Sequence, residues 1–259
     1  MGSAGVRRVA REVLAELRRA GDARRAAAMR VYFKRDEDVR FFGVGLPVVR
    51  RISADVARRF RDTWDASAAI AFCDALIRRP ELEAKSVGVV VLARWRRDFP
   101  DHLFATARGW LAQGHAASWA AVDLLAPAVI APLVERRQAL LARLERWTGA
   151  RSLWVRRAAA VALIPLARHG RALGQAYRVA RALSGDSHDL IHKATGWLLR
   201  EAGKTDMARL ERFLRSRGTR LPRTTVRYAI ERFPAGKRAT LLRVTRTDEK
   251  DVRTGGRER

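Results

Sequence analysis

The chain has 259 residues, of which 48% are hydrophobic, and its formal net charge is +26. A chain of this length can bury a sizeable core. Its positive field attracts polyanions and repels cationic partners, so nucleic acid is the leading partner. The single cysteine, Cys73, excludes a disulfide framework and a thiolate zinc site. No apolar run follows the basic N-terminus, which predicts a protein without a signal peptide that resides in the cytoplasm.

The first elements are predicted to be helical. Apolar residues recur at three- and four-residue spacing from Val6 to Leu17, which is typical of an amphipathic helix ending near Gly21. Asp22 can cap a second helix over residues 26–34, and Pro47 suits the first position of a third. Beyond it the pattern is helix-forming almost throughout, with no convincing strand.

Residues 116–134 are long and apolar enough to resemble a membrane span. However, the run contains Asp123, Pro127 and Pro132. A charge at mid-span beside two helix breakers is costly in a bilayer. We therefore predict a protein that does not cross a membrane.

An internal repeat organises the middle of the chain. Four similar apolar segments begin 36 residues apart, at positions 83, 119, 155 and 191, and a looser fifth copy begins near Val226. A period of this size predicts an α-α superhelix, or solenoid, of helical repeats, and it lies nearest those of the HEAT and TPR classes. We predict one such domain over residues 1–244 and a disordered tail over residues 245–259, which has too few apolar residues to pack.

Aligning the copies places Lys85, Ala121, Arg157 and Lys193 in one column. If the second helix of each repeat lines the inner face, this column predicts a concave basic groove that fits a DNA duplex. The alternative is that these are ordinary solvated helix faces.

Trp119 and Asp123 lie within the second copy, four residues apart, so they share one face of a helix. A carboxylate in an apolar run must be paired, solvated or functional. Beside an indole it suits a substrate that carries or develops positive charge. The alternative is a helix cap or a surface pair.

No phosphate-binding loop, dinucleotide-binding or zinc-protease motif is present. His188 and His192 have the spacing of metal ligands on a helix, but no third ligand lies near them in sequence. We therefore expect neither a metal nor another cofactor.

Several stretches together resemble the AlkD family, the HEAT-like-repeat alkylpurine DNA glycosylases of bacterial DNA alkylation repair. They cover the chain from about Met29 to Phe233 in the family's order. The segments that carry the resemblance are Met29-Arg30-Val31-Tyr32, Phe42-Gly43-Val44, Pro47-Val48-Val49-Arg50, Ser118-Trp119-Ala120-Ala121-Val122-Asp123, Trp154-Val155-Arg156-Arg157-Ala158-Ala159 and Lys193-Ala194-Thr195-Gly196-Trp197-Leu198-Leu199-Arg200-Glu201. The last of these is highly specific.

The resemblance implies that Asp123 is the catalytic carboxylate and that Trp119 and Trp197 flank the deoxyribose of the damaged nucleotide. It further implies that Arg157 contacts DNA at the site and that Tyr32 lines the same cleft. The basic positions matched to phosphate contacts are Arg50, Lys193 and Arg200.

The activity implied is excision of cationic N3- or N7-alkylated purines, bulky adducts included, from duplex DNA without base flipping. Such a protein would be monomeric and associated with the bacterial nucleoid, and would serve base excision repair or self-resistance to an alkylating natural product. Ala120 and Ala121 replace more polar residues, which leaves the substrate range open. Two alternatives are a non-catalytic protein that binds DNA structure and a protein scaffold, and the basic charge disfavours the scaffold.

Overall fold

The computed structural model describes residues 2–33 and 39–246. Within these ranges the regular elements are helical, and the only β-type pairing is an isolated bridge between Arg40 and Glu81. The all-α prediction is therefore confirmed. No helix in the described part of the chain is long and apolar enough to cross a membrane. The helices are α1 Ser3–Arg19, α2 Ala23–Arg30, α3 Leu46–Arg59, α4 Ala66–Ile77, α5 Leu82–Leu92, α6 His102–Ala112, α7 Trp119–Leu125, α8 Ala131–Arg136, α9 Ala139–Glu145, α10 Leu153–Val161, α11 Ile164–Arg168, α12 Leu173–Ala182, α13 Asp189–Ala202, α14 Met207–Arg217, α15 Arg223–Ala229 and α16 Ala235–Val244.

The repeat appears as pairs of helices in chain order. First helices begin at 66, 102, 139, 173 and 207, and second helices begin at 82, 119, 153, 189 and 223. The predicted copies thus correspond to α5, α7, α10, α13 and α15. A pair this short cannot enclose its own apolar side, and second helices of consecutive pairs pack together where α5 contacts α7 and where α13 contacts α10 and α15.

The chain divides into two compact units, residues 1–144 and 145–259. In the first, α4 packs on α5, and side chains of the two helices such as Phe72, Leu76 and Val91 are completely shielded from solvent. In the second, α13 is central and contacts α10, α12 and α15. The prediction of a single domain over residues 1–244 stays a prediction. Most of the predicted disordered tail, residues 247–259, lies outside the described residues.

The start signals predicted for the second and third helices, Asp22 and Pro47, are found at the starts of α2 and α3. The carboxylate of Asp22 accepts a hydrogen bond from the backbone N–H of Arg25 at 2.8 Å and so caps α2. That helix ends at Arg30, earlier than the predicted residue 34, which lies outside the described residues. Pro47 occupies the first turn of α3, where a missing N–H leaves no helical bond unmade.

The Phe42-Gly43-Val44 segment is held by a buried carboxylate. Glu83, on α5, is 3% exposed, and it accepts hydrogen bonds from the N–H groups of Gly43 at 2.9 Å, Val44 at 3.0 Å and Phe42 at 3.2 Å. Gly43 has a φ of +80°, and a Cβ there would lie 2.0 Å from the carbonyl oxygen of Asp22. Only glycine therefore allows this loop to pass so close to α2.

Candidate functional site

The α7 helix presents the acid and the indole that the sequence singled out. Its first residue is Trp119, and the hydroxyl of Ser118 caps it by accepting from the N–H of Ala121 at 3.2 Å. Asp123 follows one turn later on the same face, and both Trp119 and Asp123 are half-buried. The cap therefore fixes where the helix starts. Helical geometry then places the two side chains one turn apart on the same face.

Trp119 also belongs to an aromatic cluster. Its indole stacks on the ring of Phe33, with centroids 5.0 Å apart and an interplanar angle of 15°. Phe33 in turn contacts Phe41 at 5.4 Å in a tilted arrangement. Phe33 could not be predicted as a site residue from the sequence, because a ring contact spanning 86 positions has no local signal.

The segment that leads into α7 is tied to the preceding repeat by Lys85. This side chain is only 8% exposed, and its ammonium group donates to the carbonyls of Ile77 and His115, at 2.8 Å each, and of Arg79. Arg78 approaches the His115 imidazole at 2.8 Å. Burial and the positive charges of Arg78 and Lys85 lower the pKa of His115. Lys85 therefore secures the start of the site instead of facing a groove.

Arg157, in the same column of the repeat, is also internal. It is 4% exposed, and its guanidinium donates to the carbonyl oxygen of Leu190 at 2.6 Å. Each of these two cations thus donates a hydrogen bond to a backbone carbonyl about one repeat later in the chain, Lys85 to His115 and Arg157 to Leu190. The structure therefore differs from the open basic stripe that the alignment suggested, because a buried cation requires fixed acceptors. A DNA contact by Arg157 stays a prediction.

Two other predicted phosphate ligands are paired within the protein. Lys193 forms an ion pair with Asp189 at 2.8 Å, which raises the pKa of Lys193 and lowers that of Asp189. Arg200 is bound by Glu231 and lies 3.6 Å from Glu201. To bind a phosphate, either cation must exchange or share these carboxylate partners.

Trp197 is half-buried on α13, one turn beyond Lys193. It follows Gly196, whose backbone lies against α15: a Cβ there would be 2.5 Å from the Cβ of Tyr228 and 2.7 Å from the carbonyl oxygen of Thr225. The glycine in this motif thus permits the close crossing of α13 and α15 that positions Trp197.

Tyr32 and Arg50 both face solvent. Tyr32 is 80% exposed beside Phe33. Arg50 is exposed on α3 and forms no hydrogen bond or ion pair within residues 2–33 and 39–246, whereas neighbouring Arg51 contacts Glu16 at 3.0 Å. Of the predicted phosphate ligands, Arg50 is therefore the one that can bind a phosphate without losing a partner in the described part of the chain.

The two histidines considered as metal ligands have structural partners. His188 caps α13 by accepting from the N–H of Leu190 at 3.1 Å, and the His192 ring contacts the carbonyl of Asp186. No group of three or more His, Cys, Asp or Glu side chains is placed to hold a metal in the described ranges.

Glu201 is a buried acid surrounded by basic side chains. It is 2% exposed, and it accepts from Arg168 at 2.9 Å and from Lys204. Burial opposes ionisation, but these hydrogen bonds and charges outweigh it and lower the pKa of Glu201. Glu201 therefore secures the C-terminal end of α13, and a phosphate contact by Arg200 stays a prediction.

This cluster predicts acid sensitivity. Because the folded-state pKa of Glu201 lies below its ordinary value of 4.5, its stabilisation is fully present above that pH and is lost as the pH falls through the lowered value. We expect the free energy of unfolding of wild type to exceed that of Glu201→Gln near neutral pH, and the difference to shrink below about pH 4.5. Urea titrations across this range measure it. Asp62→Asn, at an exposed acid, is the control, and a pH-independent difference for Glu201→Gln would contradict the expectation.

A protein from Enterococcus faecalis, described as a predicted DNA alkylation repair enzyme, superposes with a TM-score of 0.72 at 19% identity, over 83% of this chain and 97% of its own. The smu.31 protein of Streptococcus mutans aligns with a TM-score of 0.48 at 15% identity, over 77% of this chain and 96% of its own. No curated protein sequence matches the chain.

The first of these superpositions places the chain in the all-helical fold of that Enterococcus protein. The sequence profile of the DNA alkylation repair enzymes matches residues 13–233, which is most of the chain. The chain therefore belongs to the DNA alkylation repair enzyme family, and the predicted resemblance is confirmed at the level of the family.

Proposed function

We propose that the protein is a DNA glycosylase that hydrolyses the N-glycosidic bond of cationic N3- and N7-alkylated purines in duplex DNA. The observation that carries the proposal is the pairing of a half-buried carboxylate, Asp123, with Trp119 on one face of a capped helix. Membership of a DNA alkylation repair family supports it, because damaged DNA is then the substrate class.

The chemistry follows from the charge of the lesion. An alkylated purine already carries a positive charge, so it leaves as a neutral base without a general acid. Positive charge then develops on the deoxyribose, and a fixed carboxylate beside the sugar stabilises it. Water forms the new bond to C1′ as the bond to the purine nitrogen breaks. Asp123 orients this water and accepts its proton.

Trp119 and Trp197 are proposed to contribute through their ring faces. An aromatic face near a developing cation is worth about 0.5–2 kcal/mol, depending on how well water is excluded. This mechanism encloses the sugar and not the base. It therefore accommodates bulky purine adducts and requires no base flipping.

The direct test is base release from defined duplexes. We expect single-turnover release of 7-methylguanine and of a larger cationic purine adduct, each with formation of an abasic site, at rates above spontaneous depurination. A non-catalytic DNA-binding protein would retard the same duplexes and leave no abasic sites. Release of 7-methylguanine without release of the larger adduct would support the glycosylase activity and contradict the tolerance of bulky adducts.

Arg50 allows a test of the DNA contact. Each phosphate contact that is lost reduces the slope of log K against log salt by about 0.9. We expect Arg50→Ala to reduce the slope by about this amount on undamaged duplex. Arg51→Ala removes the same charge from the adjacent position of α3, but Arg51 is already paired with Glu16, so we expect a smaller change. Equal slopes for wild type and Arg50→Ala would place the DNA contact elsewhere.

A further inference from the structure

The indole of Trp119 is held differently from those of Trp95 and Trp110. Trp95 donates its ring N–H to the carbonyl of Trp64 at 3.0 Å, and Trp110 donates to Asp74 at 2.8 Å. In the described part of the chain, the N–H of Trp119 has no protein acceptor. What fixes the plane of this ring is its near-parallel stack on Phe33, with centroids 5.0 Å apart.

Phe33 is itself secured from two directions. The guanidinium of Arg30 donates to the Phe33 carbonyl at 2.9 Å, which fixes the backbone at the end of α2. The ring of Phe41 packs against the Phe33 ring in a tilted arrangement, with centroids 5.4 Å apart. Phe41 immediately precedes the three N–H groups that bind the carboxylate of Glu83. A buried acid on α5 is thus connected through two phenyl rings to the indole on α7.

The orientation of the Trp119 ring determines how it can interact with a cation held near the carboxylate of Asp123, one helical turn away. An aromatic ring interacts with a cation through its face and not through its edge, so the interaction depends on the ring plane. Asp123 provides the negative charge on the same face of α7. An indole free to rotate about its side-chain bonds would present its face to the sugar only part of the time.

We propose that Phe33 is a positioning residue that holds the indole face of Trp119 toward the cationic deoxyribose of the damaged nucleotide. Phe33 acts through Trp119 and does not itself contact the sugar. This inference rests on the proposed glycosylase function, and it adds a residue that belongs to none of the predicted contacts.

A double-mutant cycle tests the proposal. The variants are Phe33→Leu, Trp119→Leu and the double variant, because leucine keeps an apolar side chain but cannot stack. We expect Phe33→Leu to slow single-turnover base release about 2- to 10-fold, the range expected for loss of one aromatic pair. In the Trp119→Leu background the same change should have no further effect, since residues that act as a unit are not additive. Phe33→Tyr should restore the wild-type rate.

A matched control lies in the same unit. Phe60 stacks on Trp64 with centroids 4.5 Å apart and an angle of 12°, so Phe60→Leu removes a similar pair away from α7. We expect this variant to release base at the wild-type rate while it remains folded, and to show no coupling with Trp119→Leu. Slowing of release by Phe60→Leu as large as that by Phe33→Leu would attribute the effect to general loss of packing and overturn the proposal.

A second measurement separates this inference from the proposed function. A duplex containing a positively charged pyrrolidine in place of one deoxyribose mimics the sugar cation, and its binding needs no turnover. The same cycle on its dissociation constant should show coupling between positions 33 and 119. Additive effects in both release and binding overturn the role of Phe33 even if the enzyme is active. If the wild-type protein released no base but positions 33 and 119 were coupled in binding the pyrrolidine duplex, the glycosylase function would be rejected. The positioning role of Phe33 would then be retained.

Discussion

Asp123→Asn is expected to abolish most base release while leaving DNA binding intact. The substitution keeps the size and planarity of the side chain but removes the negative charge that stabilises the sugar cation. Loss of one preorganised electrostatic partner reduces rates by about 100- to 1,000-fold, or roughly 3–4 kcal/mol. Single-turnover release from a duplex carrying one alkylated purine measures this, after subtraction of spontaneous depurination.

Two controls make this result interpretable. Asp55→Asn changes the same charge on α3, where Asp55 is an exposed partner of Arg58 at 2.9 Å, and should leave the rate unchanged. Binding of Asp123→Asn to undamaged duplex should match wild type, and its melting temperature reports any loss of folding. Release at the wild-type rate by a folded Asp123→Asn protein would make Asp123 structural and reject the proposed mechanism.

Gly196→Ala should lower the free energy of unfolding of the second unit, although the substitution adds only one methyl group. The added Cβ would lie 2.5 Å from the Cβ of Tyr228 and 2.7 Å from a backbone oxygen of Thr225, so α13 and α15 must separate. Overpacking of this kind costs about 1–3 kcal/mol. Because Trp197 is the next residue, the shift should also slow base release. Urea unfolding and the single-turnover rate measure the two effects.

Gly174→Ala provides a control of opposite sign. Gly174 lies within α12, and a Cβ there would meet only the flexible end of Arg178 at 3.5 Å. Replacing a helical glycine by alanine under these conditions stabilises by about 0.5–1 kcal/mol. If Gly196→Ala stabilised the protein as Gly174→Ala does, the close crossing of α13 and α15 would be incorrect.

The sequence by itself determined the helical class, the repeat and the main candidate residues. The period of 36 residues predicted the helix pairs, which begin 34–37 residues apart. It was visible in the sequence because each repeat buries a similar apolar side, and such a side imposes a pattern on the chain. Trp119 and Asp123 could also be paired from sequence, since four residues on a helix define one face. Asp22 and Pro47 marked helix starts through local chemistry that needs no tertiary contact.

Only the tertiary structure decided which charged and aromatic side chains already have partners within the protein. Spacing gave Lys85 and Arg157 the same position in the repeat, but it could not show that backbone carbonyls elsewhere in the chain accept hydrogen bonds from them. Glu83 had no distinctive local pattern, because its three N–H partners lie about 40 residues earlier. The stack of Phe33 on Trp119 was equally hidden. Burial and partner choice arise from contacts distant in sequence, so residue spacing alone cannot determine them.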